Sequence, residues 1–483
     1  MEAGDRTPGA EEAAETEGLA GSPSVVTSSG KLRQYLAAVI ICMLSFCHGT
    51  VYGWLAPVQP LLQSADSPLG GGPMTEDAAA TAGSLVSAAA VVAVPLFTHL
   101  GTSGSRRLAG CLAALPLLPG WLLVAFARSQ PALFAGRLLA GLACGAASSM
   151  MLFVNEVAQD QVRGELCTFG NLLFNAGVLF AYVVGSCVPY AAFGLACLGA
   201  ALVYLAGLCV LPESPYHLVK LGRTAEARRA LRWYRGGSRD VEEELARMRR
   251  RVSEAEPVRW STVVKAFSEP GAVRALLIGA ALCVNAHFCG LFAIISYSVR
   301  IFQESGASMS PYGATILVGA LRFASVYVAG LVVDRAGRRV LLVASNATMA
   351  ASLVVLGGYL YAREASPQLG HGWLPVACTC VYIVSMSLGV GSLTFVIITE
   401  LFSFRIRTVA TTVCHCMLSF NVFVVVKTFP ALKGALALHG CFWLYAGVCA
   451  AGVLLAYFWV PETSNRSLEA IQAQLRGDRN TAK

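Results

Sequence analysis

Twelve times along this chain, about twenty consecutive residues pass with almost no charge, more apolar surface than a soluble core can hide. A helix rising ~1.5 Å per residue needs about that length to cross a ~30 Å hydrocarbon layer, where it also satisfies its own backbone N–H and C=O groups. The runs cover 36–58, 81–100, 108–127, 131–154, 167–187 and 191–211, then 275–298, 311–333, 340–362, 374–399, 408–430 and 437–460. The chain therefore reads as an all-α polytopic membrane protein with twelve transmembrane helices.

A polar stretch, 212–274, divides these runs six and six. It carries fourteen Lys and Arg against nine Asp and Glu, and short loops this basic stay on the cytoplasmic side. Ala227, Ala230, Leu231 and Tyr234, then Val241, Leu245, Met248 and Val252, recur at helical spacing, so two amphipathic helices are expected here, either packed together or resting on anionic lipid. Asp240 and Glu243 form a capping box for the second. The organisation follows: a disordered cytoplasmic tail (1–35), a six-helix half (36–211), a cytoplasmic helical connector (212–274), a second six-helix half (275–460) and a cytoplasmic tail (461–483). Of the 36 Lys and Arg, 29 then fall on the side of the termini and connector, four fall opposite (Arg128, Arg300, Arg363, Lys433), and Arg137, Arg322 and Lys427 lie within spans. Lys427 is expected to reach an aqueous edge or a partner.

The chain repeats itself. Glu156 and Arg163 follow the fourth run and Glu400 and Arg407 the tenth; Pro212-Glu213-Ser214 ends the sixth and Pro461-Glu462-Thr463 the twelfth; Arg106-Arg107 follows the second and Arg338-Arg339 the eighth. One six-helix unit is thus used twice in parallel orientation. No phosphate loop, metal-ligand cluster or nucleophile with a base is present, so neither an enzyme nor a cofactor is expected. Most of the 16 cysteines lie in apolar runs and read as reduced packing residues. Gly136, Gly141 and Gly145 read as sites of close helix packing.

These motifs carry a resemblance. Gly330-Leu-Val-Val-Asp334-Arg335-Ala-Gly337-Arg338-Arg339 resembles the signature loop of the major facilitator superfamily. Asn155-Glu156-Val-Ala-Gln-Asp-Gln-Val-Arg163-Gly164, Pro212-Glu-Ser-Pro215 and Pro461-Glu-Thr463 resemble its sugar porter family. Gly53-Trp54, Val426-Lys427-Thr428-Phe429 and the stretch from Pro461 to Ile471 are most similar to its insect facilitated trehalose transporter branch. The resemblance spans about 35–476 and implies facilitated, alternating-access transport of a small polar solute, a sugar such as trehalose or a hexose, at the plasma membrane. A non-sugar, anionic solute or a transport-silent sensor are the alternatives.

Arg137, Glu156, Arg163, Glu213, Asp334, Arg335, Arg338, Arg339, Glu400, Arg407 and Glu462 read as a latch at the inner helix ends, pairing across the two halves and with helix termini. The first half, Gly101-Thr-Ser-Gly-Ser-Arg106-Arg107, lacks the signature acid, which implies a looser latch there. In similar sugar porters, polar side chains on the fifth, seventh, eighth and tenth helices hold the sugar. The corresponding residues here are Asn171, Ala286-His287, Phe292, Ser296, Tyr297, Arg322 and the segment Gly391-Ser392-Leu393-Thr394-Phe395, where the family's tenth-helix Trp is missing. His287 reads as a cavity residue or a satisfied core histidine, and Phe292 and Phe395 as packing or stacking residues. Arg322, twelve residues before Asp334, lies ~18 Å from the loop, near mid-membrane. It should face the cavity or an internal partner. The first run has no Asp or Glu, which predicts uniport without proton coupling.

Overall fold

The computed structural model describes residues 28–237, 241–254, 270–332, 337–366, 371–402, 406–463, 466 and 470–471. Among them, all regular structure is helical. The first half is α1 (Ser28–Leu62), α2 (Glu76–Ser103), α3 (Arg106–Ala125), α4 (Gln130–Val157), α5 (Asp160–Cys187) and α6 (Tyr190–Val210). The connector holds α7 (Pro215–Lys220), α8 (Thr224–Tyr234) and α9 (Val241–Glu254). The second half is α10 (Gly271–Glu304), α11 (Pro311–Leu331), α12 (Arg338–Ala365) and α13 (Leu374–Leu401), followed by the helical run Arg407–Phe458. That run is 52 residues long, far beyond the ~20 that one crossing needs. Ala437, at φ 54° and ψ 177°, breaks it into α14 (407–436) and α15 (438–458), which completes twelve spans.

Helix α1 begins at Ser28, so the helix reaches into the segment expected as a tail. Four spans are broken, and they are the first and fourth of each half. Helix α1 breaks at Trp54, α4 after Cys144, α10 at Cys289–Gly290 and α13 at Gly389. Non-helical backbone at membrane depth is tolerated where it is buried in protein or lines a cavity, so these breaks point to the bundle axis. The halves meet along α2 against α14 and α5 against α11. Helix α4 lies close enough to α2 that a methyl group on Gly141 or Gly145 would strike the backbone of Val86 or Ala93, in keeping with the close packing expected of them.

The connector's apolar faces cover one another rather than lipid: Leu218, Val219, Ala227, Ala230, Leu231, Val241 and Leu245 form one buried cluster. Asp240, expected to open α9, lies outside the described residues. Arg235 ties the connector to the bundle, pairing with Glu244 at 2.6 Å and donating to the Val157 carbonyl at the end of α4. Arg33 of α1 donates to the Trp233 carbonyl. The membrane face that carries α7–α9 is called the connector face below, and the opposite one the far face.

Candidate substrate cavity and gates

At mid-depth between the halves lies a cavity of about 260 Å³. Its polar lining comes from Asn171 and Asn175 on α5, His287 on α10, Arg322 on α11, Ser387 and Thr394 on α13, and His415 and Ser419 on α14; Tyr52, Phe174, Phe292 and Phe395 supply aromatic walls. Asn175 is one turn from Asn171 and donates to its carbonyl at 2.8 Å, so both sit on one face of α5. No carboxylate is among the lining residues.

Both histidines have one ring nitrogen committed. His287 Nδ1 lies 3.2 Å from the Cys283 carbonyl, and His415 Nδ1 lies 2.8 Å from the Thr411 carbonyl, each four residues back on its own helix. A carbonyl only accepts, so Nδ1 carries the proton and Nε2 of the neutral ring remains an acceptor. The His287 ring stacks on Phe292 at 5.3 Å, and Phe292 meets Tyr52 of the other half edge-on at 5.4 Å. His287 is thus a satisfied histidine and a cavity wall at once.

Arg322 faces this cavity. Its guanidinium carbon lies 6.0 Å from the Phe174 ring across the inter-half boundary, and its Nη1, shut off from solvent, has no hydrogen-bond acceptor among the described residues. The Tyr297 phenol, one of the groups that could have met it, instead donates to the Val426 carbonyl at 2.8 Å and stacks on Phe429 at 4.8 Å. Ser296 and Tyr297, expected at the site, do not line it. The left-handed Gly290 (φ 96°) re-phases the helix that follows, so Leu291 and Phe292 face the cavity while Tyr297 turns into the protein.

The far side is closed. Residues 291–299 are all buried, and the Ile295 carbonyl accepts from Tyr182 of the other half at 2.8 Å. Above this plug, charges bridge the halves: Lys427 pairs with Asp77 at 2.6 Å and donates to Thr81, while Glu76 meets Lys433 at 3.0 Å and Arg300 at 3.5 Å. Glu304 adds pairs to Arg300 at 2.7 Å and Lys433 at 3.0 Å. Lys427 therefore finds the partner expected of it, and the other members of this cluster were not anticipated as a gate. A signal existed in the acidic first far loop and the scarce basic residues opposite it.

At the connector face, each described ion pair within the bundle joins residues of one half, in two matching sets. Arg106 pairs with Glu156 at 2.8 Å, and Arg338 with Glu400 at 2.9 Å. Glu213 accepts from the Arg106 and Arg107 backbone N–H groups at the start of α3; Glu462 accepts from those of Arg338 and Arg339 at the start of α12. A carboxylate there satisfies orphan donors and sits at the positive end of the helix dipole. Arg163 donates to the Ala158 carbonyl and pairs with Asp160, and Arg407 donates to the Phe402 carbonyl. Arg339 also donates to the Ala456 carbonyl. The latch expected across the halves is thus, in the described pairs, a fastener inside each half. Asp334 and Arg335 lie outside the described residues.

Arg137 does not belong to this set. It lies in the far half of α4, fully buried, donating to the Ala82 and Val51 carbonyls and stacked over Trp54 at 4.6 Å. It holds α1 at its break. Because Asn171 and Phe395 line the cavity yet are exposed, the cavity opens to solvent, and with the far side plugged it opens toward the connector face.

The family model "Sugar (and other) transporter" matches residues 37–475. The chain is 34% identical to the facilitated trehalose transporter Tret1-2 homolog of Drosophila simulans, over 92% of this chain and 91% of the relative. It is 33% identical to trehalose transporter 1 of Drosophila melanogaster, of which it spans 52%. Among solved structures, the inward open xylose transporter XylE of E. coli superposes with a TM-score of 0.73 at 19% identity, covering 90% of this chain and 98% of that one. The proton:xylose symporter XylE bound to 6-bromo-6-deoxy-D-glucose gives 0.70 at 19% identity, over 93% of this chain and all of that one. Its fold is that of the major facilitator superfamily, with twelve spans in two six-helix halves, and the chain belongs to the sugar (and other) transporter family.

Proposed function

We propose that this protein carries a small, polyhydroxylated solute of the sugar class across the plasma membrane by alternating access, without proton coupling. The connector and both tails face the cytoplasm, in line with the excess of Lys and Arg on that side. The connector, 212–274, joins two moving halves, 36–211 and 275–460. What supports this reading most is the cavity at the inter-half boundary, closed on the far side by contacts between the halves and open on the other. Two imidazole acceptors, two amides and the Ser387, Thr394 and Ser419 hydroxyls suit hydroxyl groups, and Phe292 and Phe395 suit a ring face.

The cavity's volume, about 260 Å³, is on the scale of a small-ligand site. Proton coupling needs a titrating group that alternates between the two sides, and among the described lining residues none is a carboxylate, the usual one. Uptake of labelled D-glucose and other monosaccharides into proteoliposomes tests this. Saturable uptake and counterflow that persist after a protonophore is added are expected. Uptake abolished by the protonophore at fixed membrane voltage would overturn the uncoupled mechanism, and no uptake or counterflow of any monosaccharide would overturn the carrier reading.

A further inference from the structure

Among its described lining residues the cavity has one formal charge and no carboxylate to neutralise it. Arg322 is the only Lys, Arg, Asp or Glu among its lining residues, and the aromatic face of Phe174 is a weak partner at 6.0 Å. Burying a guanidinium donor without an acceptor is costly, more so for a charged group than for a neutral one. A second orphan lies in the same wall: Asn175 Oδ1, also shut off from solvent and without a hydrogen-bond partner among the described residues. The cavity thus offers a cationic donor and a neutral acceptor without partners among the described residues, together with the acceptor nitrogens of His287 and His415.

We propose that the preferred solute is a sugar acid, a hydroxylated monocarboxylate the size of a hexuronate, whose carboxylate binds Arg322 and whose hydroxyls bind Asn175 and the imidazoles. A carboxylate fits the guanidinium's planar fork with two parallel charge-assisted bonds, which a neutral hydroxyl cannot form. Each hydroxyl, unlike a carboxylate, also brings the proton that Asn175 Oδ1 and the histidine Nε2 atoms lack. A fully hydroxylated neutral sugar answers the second need and meets the first only with single hydroxyl acceptors, without the countercharge or the paired bonds. A simple inorganic anion answers the first and leaves the second. Bound together, guanidinium and carboxylate cancel, so the loaded cavity is neutral while the halves rock, and each turnover moves one negative charge with the solute.

This rests on the carrier reading above, and the test separates the two. The full-length protein is reconstituted and offered labelled D-glucuronate and D-glucose, with the membrane potential set by a potassium gradient and valinomycin; binding is followed in parallel by thermal stabilisation of the purified protein. Glucuronate uptake should exceed glucose uptake and rise when the vesicle interior is positive, while glucose uptake ignores the potential. Arg322→Gln should lower the glucuronate-to-glucose ratio about tenfold or more, and Arg322→Lys, which keeps the charge without the fork, should retain part of it. Glucose transport with no inhibition by glucuronate, or a ratio unchanged in a folded Arg322→Gln protein, would overturn the sugar-acid assignment and leave the carrier standing. Arg322-dependent stabilisation by glucuronate without transport would support the site and overturn the carrier. Neither binding nor transport of either solute would overturn both.

Discussion

Among the described residues, the Arg106–Glu156 and Arg338–Glu400 pairs at the connector face each join residues of one half and are mostly buried, whereas the pairs of Asp77 and Glu76 at the far face reach into the other half and are more exposed. Arg106 and Glu156 are 3% and 9% exposed, whereas Lys427 and Asp77 are 33% and 78% exposed. Removing one partner of a buried pair strands a charge and costs ~3–5 kcal/mol. An exposed pair is worth ~0–1 kcal/mol. The three far-face pairs that cross between the halves therefore amount to ~0–3 kcal/mol together, a bias of up to roughly 150-fold between two states. A machine that must open and reclose at every turnover needs weak ties between its moving parts and strong ones within them. The distribution of charge follows that rule.

The largest effect should come from the fasteners. Arg106→Ala leaves the Glu156 carboxylate buried with only the Ser214 hydroxyl to bind it, so thermal unfolding in detergent should show a clear loss of stability, on the order of 3–5 kcal/mol. A folded protein of unchanged midpoint would mean that the pair is a surface ornament and the contrast between faces is false. Smaller and matched losses are expected from Glu213→Gln and Glu462→Gln, each weakening a carboxylate at a helix N-terminus at a cost of ~0.5–2 kcal/mol. Unequal losses in the same assay would show that the two halves do not use this cap alike.

Much of this was legible in the residues. The length of an apolar run is fixed by the bilayer, so the spans and the two halves could be read directly. The breaks in α1, α4, α10 and α13 could not, because hydropathy continues unchanged through Trp54, Gly145, Gly290 and Gly389. That omission misplaced Ser296 and Tyr297, whose facing depends on the turn at Gly290. Asn171, His287, Phe292, Arg322, Thr394 and Phe395 fell in the cavity wall because they precede the breaks, closely follow them or sit on unbroken helices. Asn175 was available from its one-turn spacing to Asn171. Arg137 was also misread avoidably: it lies nineteen residues before Glu156, ~28 Å along a helix, too far for the same membrane face. The clasp between Asp77 and Lys427 joins residues 350 apart, and no local pattern predicts which loop meets which.

The central claim is that the far-face charges are a reversible clasp between the halves, and hydrogen exchange in the plug tests it most directly. Amide exchange of residues 291–304 is compared in the native protein, in Asp77→Lys, in Lys427→Asp and in the double reversal. Each single reversal replaces one attractive pair by a like-charge contact of similar size and should shift the protein toward the form open at the far face, raising exchange in the plug several-fold and by at most about 30-fold, while the double reversal should restore protection. If the single reversals leave the plug protected, or the double reversal leaves it as exposed as they do, the far-face charges do not hold the halves together.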